Sequence, residues 1–272
     1  MSEKQKFKSS FNNLVSMPPN AISPLDNDRI DSGTENIIVK LIDYPDEKRF
    51  KKALTKMVQA TIGGDINKEM SDEIGEELFV GGLQNGLEAG IFTFEVSGVS
   101  RAFTHQIVRT RKASYHQQSF RYTFLGSHFN VRMPETIANN EHARLFYDDL
   151  VDHARETYVK LCNQGIPFQD ARFAALLGTE TYIICEYPIK TFLELYEYRA
   201  CCMFQWEIVH VMKLMKEEVA KVFPWMEQYI KIKCEKTQRC TFQGWESTAH
   251  CEFPWNHERV FKSKYYTPES EK

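Results

Sequence analysis

The sequence lacks any apolar run long enough to cross a bilayer, and no apolar stretch follows its N-terminal lysines. We therefore expect neither a membrane span nor a secretory signal peptide, and predict a cytoplasmic protein without a membrane partner. Seven cysteines scattered over 272 residues do not resemble the disulfide framework of small secreted domains. The sequence predicts reduced thiols.

Two common phosphate-binding loops are also missing, because neither Gly-x-Gly-x-x-Gly nor a Walker-type Gly-Lys-Ser/Thr occurs. Excess positive charge is missing too, since the formal net charge is −3. A protein that binds a nucleic-acid polymer needs a broad basic face. The sequence therefore predicts no such polymer as partner, and any nucleotide it binds should be small.

Acidic residues are absent from one long window, residues 96 to 134. The 37 acids in 272 residues would place about five there. Arginine pairs bidentately with phosphate oxygens, so an acid-free basic window predicts an anion site. The alternative is a solvated basic surface without a ligand. The cations of the window are Arg101, Arg109, Arg111, Lys112, Arg121 and Arg132.

Hydrophobic periodicity predicts an α+β fold with long helices. Short β-branched or aromatic runs predict strands over residues 37–42 and 91–96. Apolar residues at helical spacing predict helices over 50–58, 146–161 and 208–222. A period of two predicts a further strand from Ser119 to Phe124, on which Ser119 and Arg121 would share one edge as a phosphate seat.

The domain prediction is simple: a flexible N-terminal arm over residues 1–35, one folded catalytic domain over 36–261 and a polar C-terminal tail over 262–272. The arm is rich in Ser, Asn, Pro and Asp and has no sustained hydrophobic period. No metal site is predicted either. Zinc remains an alternative at Cys234, Cys240, His250 and Cys251, although their spacing lacks a paired short knuckle.

Three ordered blocks of sequence resemble flavin-dependent thymidylate synthases. Arg109-Thr110-Arg111, followed after seven residues by Ser119, is similar to the family signature Arg-His-Arg-x7-Ser. Gly165-Ile166-Pro167 with Ala171-Arg172 resembles its Gly-x-Pro…Ala-Arg element. The third block resembles Phe-Leu-x-x-Arg…Ala-Gln-Trp-Glu-Ile, and consists of Phe192-Leu193-Glu194-Leu195, Arg199 and Gln205-Trp206-Glu207-Ile208.

The resemblance implies one α+β domain with a mixed or antiparallel sheet, assembled as a homotetramer that binds FAD. It also implies transfer of a one-carbon unit from methylenetetrahydrofolate to C5 of a pyrimidine nucleotide, as reductive methylation of dUMP to dTMP with NADPH. The implied partners are therefore a pyrimidine nucleoside monophosphate and a folate.

Site residues follow from the resemblance position by position. Arg199 would be the catalytic residue, because a fixed guanidinium stabilises negative charge that develops on the oxygens of a pyrimidine ring. The implied nucleotide-binding residues are Gln106, Gln117, Ser119, Phe120, Arg121, Arg172 and Arg199. The implied FAD-binding residues are Thr93, Arg109, Thr110, Arg111, Lys190 and Glu194.

Several of these positions depart from the family pattern. Thr110 stands where the signature has histidine, and Gln117 replaces a glutamate that faces the nucleotide. An amide both donates and accepts, whereas a carboxylate only accepts, so Gln117 leaves the substrate open. One alternative is methylation or hydroxymethylation of another pyrimidine nucleotide, such as dCMP or UMP, or hydroxymethylation of dUMP. Further alternatives are an inactive nucleotide-binding homologue and a single-stranded nucleic-acid binder. The other departures are Ala89, Pro188, Lys190 and Glu194.

Overall fold

The structure, a computed structural model, describes residues 29–67, 69, 71, 75, 78–126 and 129–240. Its strands are β1 (Ile30–Ser32), β2 (Ile38–Asp43), β3 (Ile91–Ser100), β4 (Ser114–Gln117), β5 (Val131–Met133) and β6 (Glu180–Pro188). Its helices are α1 (Glu47–Ile62), α2 (Arg101–Ile107), α3 (Glu135–Ala138), α4 (Glu141–Asn163), α5 (Phe168–Ala171), α6 (Ile189–Arg199), α7 (Trp206–Val222) and α8 (Lys233–Thr237). Short 3₁₀ segments cover Gln84–Ala89, Arg172–Ala174 and Pro224–Tyr229.

Four strands form one sheet in the order β2-β3-β6-β4, and β1 pairs in parallel with β5. The α+β class is therefore confirmed, as are the predicted strands β2 and β3 and the helices α1, α4 and α7. Within the described ranges, no helix has the length and apolar character needed to cross a membrane. The described residues fall into two compact units, comprising 29–39, 95–109 and 115–185 in the first, and 40–94, 110–114 and 186–240 in the second.

The second unit has an aromatic core. Phe92 and Phe94 point to the buried side of β3, because side chains alternate along a strand. The ring of Phe192, on α6, lies 5.7 Å from that of Phe92 and 5.4 Å from that of Phe94. Phe223, at the end of α7, packs 5.8 Å from Phe92. The aromatic positions of β3 therefore hold α6 in place.

The core of the first unit lies under α4. Val151 and Tyr158 are fully buried there, as the helical period predicts. Phe146 and Leu150, which belong to the same predicted apolar stripe, are instead 76% and 50% exposed. The period located the helix correctly, but the buried stripe is narrower than the sequence suggests, because Tyr147 occupies the inner side of that turn and donates its hydroxyl to the carbonyl of Arg132.

Strand β1 lies before the boundary at residue 35 that the composition predicts. Ile30, Asp31 and Ser32 form β1 and lie in register with Val131, Arg132 and Met133 of β5. That boundary was wrong for residues 30–35, because a three-residue strand held by a distant partner leaves no hydrophobic period in the sequence. The rest of the predicted arm and the whole predicted tail lie outside the described residues.

Arg132 is a structural residue and not part of an anion site, contrary to the grouping by composition. Its side chain is 1% exposed. Its Nη2 donates to Glu180 Oε1 at 2.8 Å, and its Nε and Nη1 donate to the carbonyls of Gly98 and Gly33 at 2.7 Å each. Asp31 lies 3.6 Å from the same guanidinium. The acidic side chains beside Arg132, those of Asp31 and Glu180, thus come from outside the acid-free window.

Gly98 is required at this contact by its backbone. Its φ is +71°, a left-handed value that favours glycine. A Cβ there would also stand 2.3 Å from the carbonyl oxygen of Asn36. The strand can therefore present the Gly98 carbonyl to Arg132 only with glycine in place.

Burial raises the pKa of Glu180 to about 8, and the neighbouring Asp31 carboxylate adds to the rise. The positive charges of Arg132 and of Arg29, whose Nη2 lies 3.6 Å from Glu180 Oε2, oppose this rise in pKa but do not cancel it. A carboxyl whose pKa is raised on folding binds its proton more tightly in the native state. Its contribution to stability is present at low pH and is lost as pH rises towards 8.

We expect Glu180→Gln to flatten this part of the pH dependence, since glutamine resembles the neutral acid and still accepts from Arg132. The difference in unfolding free energy between variant and wild type should grow in favour of the variant from pH 5 to 8, by at most about 1.4 kcal/mol per pH unit. Urea unfolding at several pH values measures it.

Glu156→Gln is the matched control. A hydrogen bond from Lys160 lowers the pKa of Glu156, so this carboxylate stays ionised between pH 5 and 8 and its variant should show a constant difference. A constant difference for Glu180→Gln as well would contradict the raised pKa.

Candidate functional site

The basic segment of the first unit is positioned by the junction of β3 and α2. Ser100, the last residue of β3, caps α2 by accepting the N–H of Phe103 on its Oγ at 3.0 Å. The N–H groups of Arg101 and Ala102 donate to the carbonyls of Thr179 and Leu177 at 3.1 and 3.0 Å. These bonds fix the first turn of α2, and with it the position from which the Arg101 side chain extends.

Arg101 is the most constrained cation of this segment. Its Nη2 donates to the carbonyl of Gln118 at 2.8 Å, and its Cζ lies 3.6 Å from the centre of the Phe120 ring. Its Nε is buried and has no hydrogen-bond partner within the described part of the chain. Burial, and then the positive charge of Arg172, lower the pKa of Arg101 to about 10.

These facts make Arg101 and Arg172 a candidate anion site. Two guanidinium groups, of Arg101 and Arg172, repel each other, and a buried N–H lacks its acceptor. A bound phosphate would supply acceptor oxygens for the N–H groups, and its negative charge would offset the repulsion between the two guanidinium groups. Hydrogen bonds between charged groups of this kind are stronger than those between neutral groups. Arg101 was in the basic window but was not assigned to the site, because its position was outside the family signature. The missing acids were the signal that pointed to it.

Gln117 has a specific local role. Its Nε2 donates to Thr104 Oγ1 at 2.9 Å, and that hydroxyl donates to the carbonyl of Arg101 at 3.0 Å. A hydroxyl has one hydrogen, and that of Thr104 is donated to the carbonyl of Arg101. Thr104 Oγ1 can therefore only accept a hydrogen bond from residue 117. A glutamate at 117 would bring an acceptor to this oxygen, whereas glutamine brings the required donor.

The predicted strand from Ser119 to Phe124 is wrong, because these residues form a turn. The carbonyl of Ser119 accepts the N–H groups of Tyr122 and Thr123, both at 3.1 Å, and its Oγ accepts that of Arg121 at 3.3 Å. Serine side chains compete with sheet pairing through such local bonds. Phe120 is buried and Arg121 is exposed, and the strand of this region is β4 instead.

The other nucleotide-binding residues predicted for the first unit lie near the ends of short elements. Gln106 is half-buried near the end of α2, and Arg109, which is assigned to FAD, is exposed just beyond that helix. Arg172 begins a 3₁₀ segment and donates from Nε to the carbonyl of Gln169 at 3.0 Å. Of the predicted nucleotide set, Gln117, Phe120 and Arg172 lie around Arg101 or its helix.

The second unit contains a cavity of about 370 Å³ at the end of α6. Three predicted residues line it: Arg199, assigned to catalysis, and Thr110 and Glu194, assigned to FAD. Arg199 closes α6, and its Cζ lies 4.8 Å from the centre of the Phe204 ring. The remaining lining residues are Thr191, Leu195, Tyr198 and Phe204.

The other predicted FAD residues do not line this cavity. Lys190 Nζ donates to Asn85 Oδ1 at 2.7 Å and to Glu88 Oε1 at 3.3 Å, so α6 is tied there to the segment Gln84–Ala89. Thr93 is buried on β3, and Arg111 is exposed in the turn before β4. Phe204 was missed by sequence reasoning, although it occupies the alanine position just before Gln-Trp-Glu-Ile in the family pattern.

The possible zinc ligands are only partly described. His250 and Cys251 lie outside the described residues. Among those that the structure does describe, no group of three or more His, Cys, Asp or Glu side chains is arranged to hold a metal ion.

Inorganic phosphate should stabilise the protein through Arg101. At ten times its dissociation constant, a ligand that binds only the folded state adds about 1.4 kcal/mol, which raises Tm by about 4 °C for a chain of this size. Arg101→Gln should remove most of that shift in a thermal melt, because it removes the buried guanidinium. Arg144→Gln, on the exposed part of α4, is the matched control; a full shift in Arg101→Gln would refute the assignment.

Comparison with known proteins gives a consistent result. The family described as thymidylate synthase complementing protein matches residues 34–225. The flavin-dependent thymidylate synthase of Sulfurisphaera tokodaii is 32% identical over 203 residues, covering 72% of this chain and 78% of the relative. That of Geobacter sulfurreducens is 32% identical over 196 residues, covering 68% and 84%.

Two solved structures share the fold. The UMP/dUMP methylase PolB of Streptomyces cacaoi, bound with 5-Br dUMP, aligns with a TM-score of 0.62 at 19% identity over 74% of this chain and 96% of that one. Thymidylate synthase X of Helicobacter pylori with FAD and dUMP aligns with a TM-score of 0.56 at 17% identity over 71% and 98%. Given the family match and the relatives above 30% identity, the chain belongs to the flavin-dependent thymidylate synthases, a family of enzymes.

Proposed function

We propose that the chain transfers a one-carbon unit from methylenetetrahydrofolate to C5 of a pyrimidine nucleotide, with FAD as cofactor and NADPH as reductant. The proposed reaction is the reductive methylation of dUMP to dTMP. The observation that carries the proposal is the candidate anion site at Arg101, in a chain of this family that also keeps Arg199 in a cavity.

The candidate anion site at Arg101 suits the phosphate of a nucleoside monophosphate. Arg101 has a buried Nε without an acceptor, and Arg172 provides the second positive charge. The ring of Phe120, whose centre lies 3.6 Å from Cζ of Arg101, limits the orientations of that guanidinium. A monophosphate carries up to two negative charges, which matches the two arginines Arg101 and Arg172.

The cavity at the end of α6 suits a pyrimidine ring. Small-molecule sites range from about 300 to 1,000 Å³, so about 370 Å³ accommodates one ring system. Arg199 would donate to a ring oxygen, on which negative charge develops as C5 forms its new bond. Donors held in place beforehand stabilise such charge without reorganisation, and loss of one commonly costs on the order of 100- to 1,000-fold in rate.

The residues fit FAD in part. Thr110 and Glu194 line the same cavity as Arg199, and because its volume accommodates one ring system, these residues provide only part of the surface that FAD needs. Lys190 would act indirectly, because its ammonium group is held by Asn85 and Glu88. When bound, FAD supplies the reducing equivalent that completes a methyl group.

Self-association as a homotetramer forms part of the proposal. The first unit carries unusually exposed apolar side chains, with Phe173 86% and Phe146 76% exposed. Leu145, Leu150 and Leu177 are at least half exposed as well. Apolar surface of this kind commonly marks a protein–protein contact, and homo-oligomers with closed symmetry bury the same patch on every chain.

Light scattering after size exclusion tests this assembly. Wild type should have the mass of four chains, and Phe173→Asp should shift the protein to smaller species because it buries a charge in the contact. Phe173→Leu, which keeps an apolar side chain, should stay tetrameric. A monomeric wild type, or a tetrameric Phe173→Asp, would contradict the proposed role of this surface.

A product assay tests the reaction. The protein is incubated with FAD, NADPH, methylenetetrahydrofolate and an equimolar mixture of dUMP, dCMP and UMP, and the nucleotides are identified by mass spectrometry. We expect methylated dUMP, and a loss on the order of 100-fold or more in kcat for Arg199→Lys, which cannot reproduce the planar donors.

The other outcomes separate the alternatives. A methyl or hydroxymethyl group on dCMP or UMP, or hydroxymethylated dUMP, would replace the proposed reaction with that of a divergent relative. Nucleotide binding without any product would identify an inactive binding homologue.

A further inference from the structure

The turn between α6 and α7 holds an aromatic ring against the predicted catalytic arginine. Arg199 is the last residue of α6, and Phe204 stands just before Gln205, which caps α7 by accepting the N–H of Ile208 at 3.1 Å. Within the turn, Cys201 N–H donates to the carbonyl of Tyr198 at 3.2 Å, and Phe204 N–H donates to that of Cys201 at 3.0 Å. Both ends and the middle of the turn are therefore fixed.

This turn brings the Phe204 ring to 4.8 Å from Cζ of Arg199, within the range of a cation–π contact. An aromatic ring at this distance limits the orientations that the guanidinium can adopt. The ring thus restrains the tilt of the guanidinium plane, in which the N–H donors lie. Both side chains line the same cavity, so a change in that tilt would change where the Arg199 donors point inside it.

We propose that Phe204 is a positioning residue for Arg199: its ring fixes the plane of the guanidinium at the cavity wall, and so aims its donors at the substrate. The inference rests on the proposed function only in taking Arg199 as the group that meets the pyrimidine ring. Phe204 itself need not touch substrate. Its aromatic face, and not merely its bulk, carries the effect.

The decisive comparison is Phe204→Leu against Phe204→Tyr. Leucine fills much of the space without a ring, whereas tyrosine keeps the ring. We expect Phe204→Leu to lower kcat for dUMP about 10-fold with a much smaller change in KM, because a misaligned donor fails mainly in the transition state. Phe204→Tyr should stay within about twofold of wild type. Equal loss in both variants would overturn the proposal.

A double-mutant cycle tests whether the effect passes through Arg199. In an Arg199→Gln background no guanidinium remains to be positioned, so Phe204→Leu should have little further effect on kcat. A further loss as large as in wild type would mean that Phe204 acts directly or through stability. Thermal melts of all four proteins, compared with their kcat values, separate a loss of folding from a loss of alignment.

A measurement without turnover keeps this inference separable from the proposed function. Phenylglyoxal modifies accessible arginine side chains, and peptide mass spectrometry gives the rate at Arg199 alone. Phe204→Leu should increase that rate several-fold, whereas Phe204→Tyr should leave it unchanged. If the faster reaction appears in a protein that makes no product, the proposed function fails and the positioning role stands. If the rate is the same in all three proteins, the positioning role fails.

Discussion

The first unit depends on one buried guanidinium. Arg132 lies on β5 and donates to the carbonyl of Gly33 just after β1, to that of Gly98 within β3, and to Glu180 at the start of β6. A buried charge is tolerated only when its donors are matched, so these four strands have to meet at this point. The consequence reaches the candidate site, because β3 continues through Ser100 into α2. The position of the Arg101 side chain therefore depends on the hydrogen bonds that hold Arg132.

Two arginines of the same acid-free window thus have opposite roles, and the difference lies in their neighbours. Arg132 is surrounded by carbonyls and carboxyl groups and needs nothing more. Arg101 is buried beside an aromatic ring and within reach of the charge of Arg172, with its Nε left without an acceptor. The arrangement around Arg132 is explained by its contribution to the stability of the fold. The arrangement around Arg101 makes sense as preparation for a ligand, since a folded chain gains nothing from an unmatched buried donor and a nearby like charge.

The sequence predicted elements whose side chains follow one period over many residues, such as β3 and α7. The sequence predictions were wrong where a local hydrogen bond, or a residue distant in the chain, determines the structure. Ser119 to Phe124 alternates like a strand, but the hydroxyl and carbonyl of Ser119 close a turn. The burial of Arg132 depends on Asp31 and Glu180, which lie far away in the chain. The family resemblance identified Arg199, whereas Phe204 needed coordinates, because only the geometry of the turn brings its ring to the guanidinium.

The bond between Gln117 and Thr104 links the choice of residue at two positions. Thr104 has a single hydrogen, and that hydrogen serves the carbonyl of Arg101. Position 117 can therefore regain the carboxylate of the family pattern without a clash of acceptors only if position 104 changes as well, for example to a side chain that donates twice. The two sites form an epistatic pair. The order of exchange therefore matters: changing position 117 first would set two acceptors against each other, whereas changing position 104 first would not, because the amide of Gln117 also accepts.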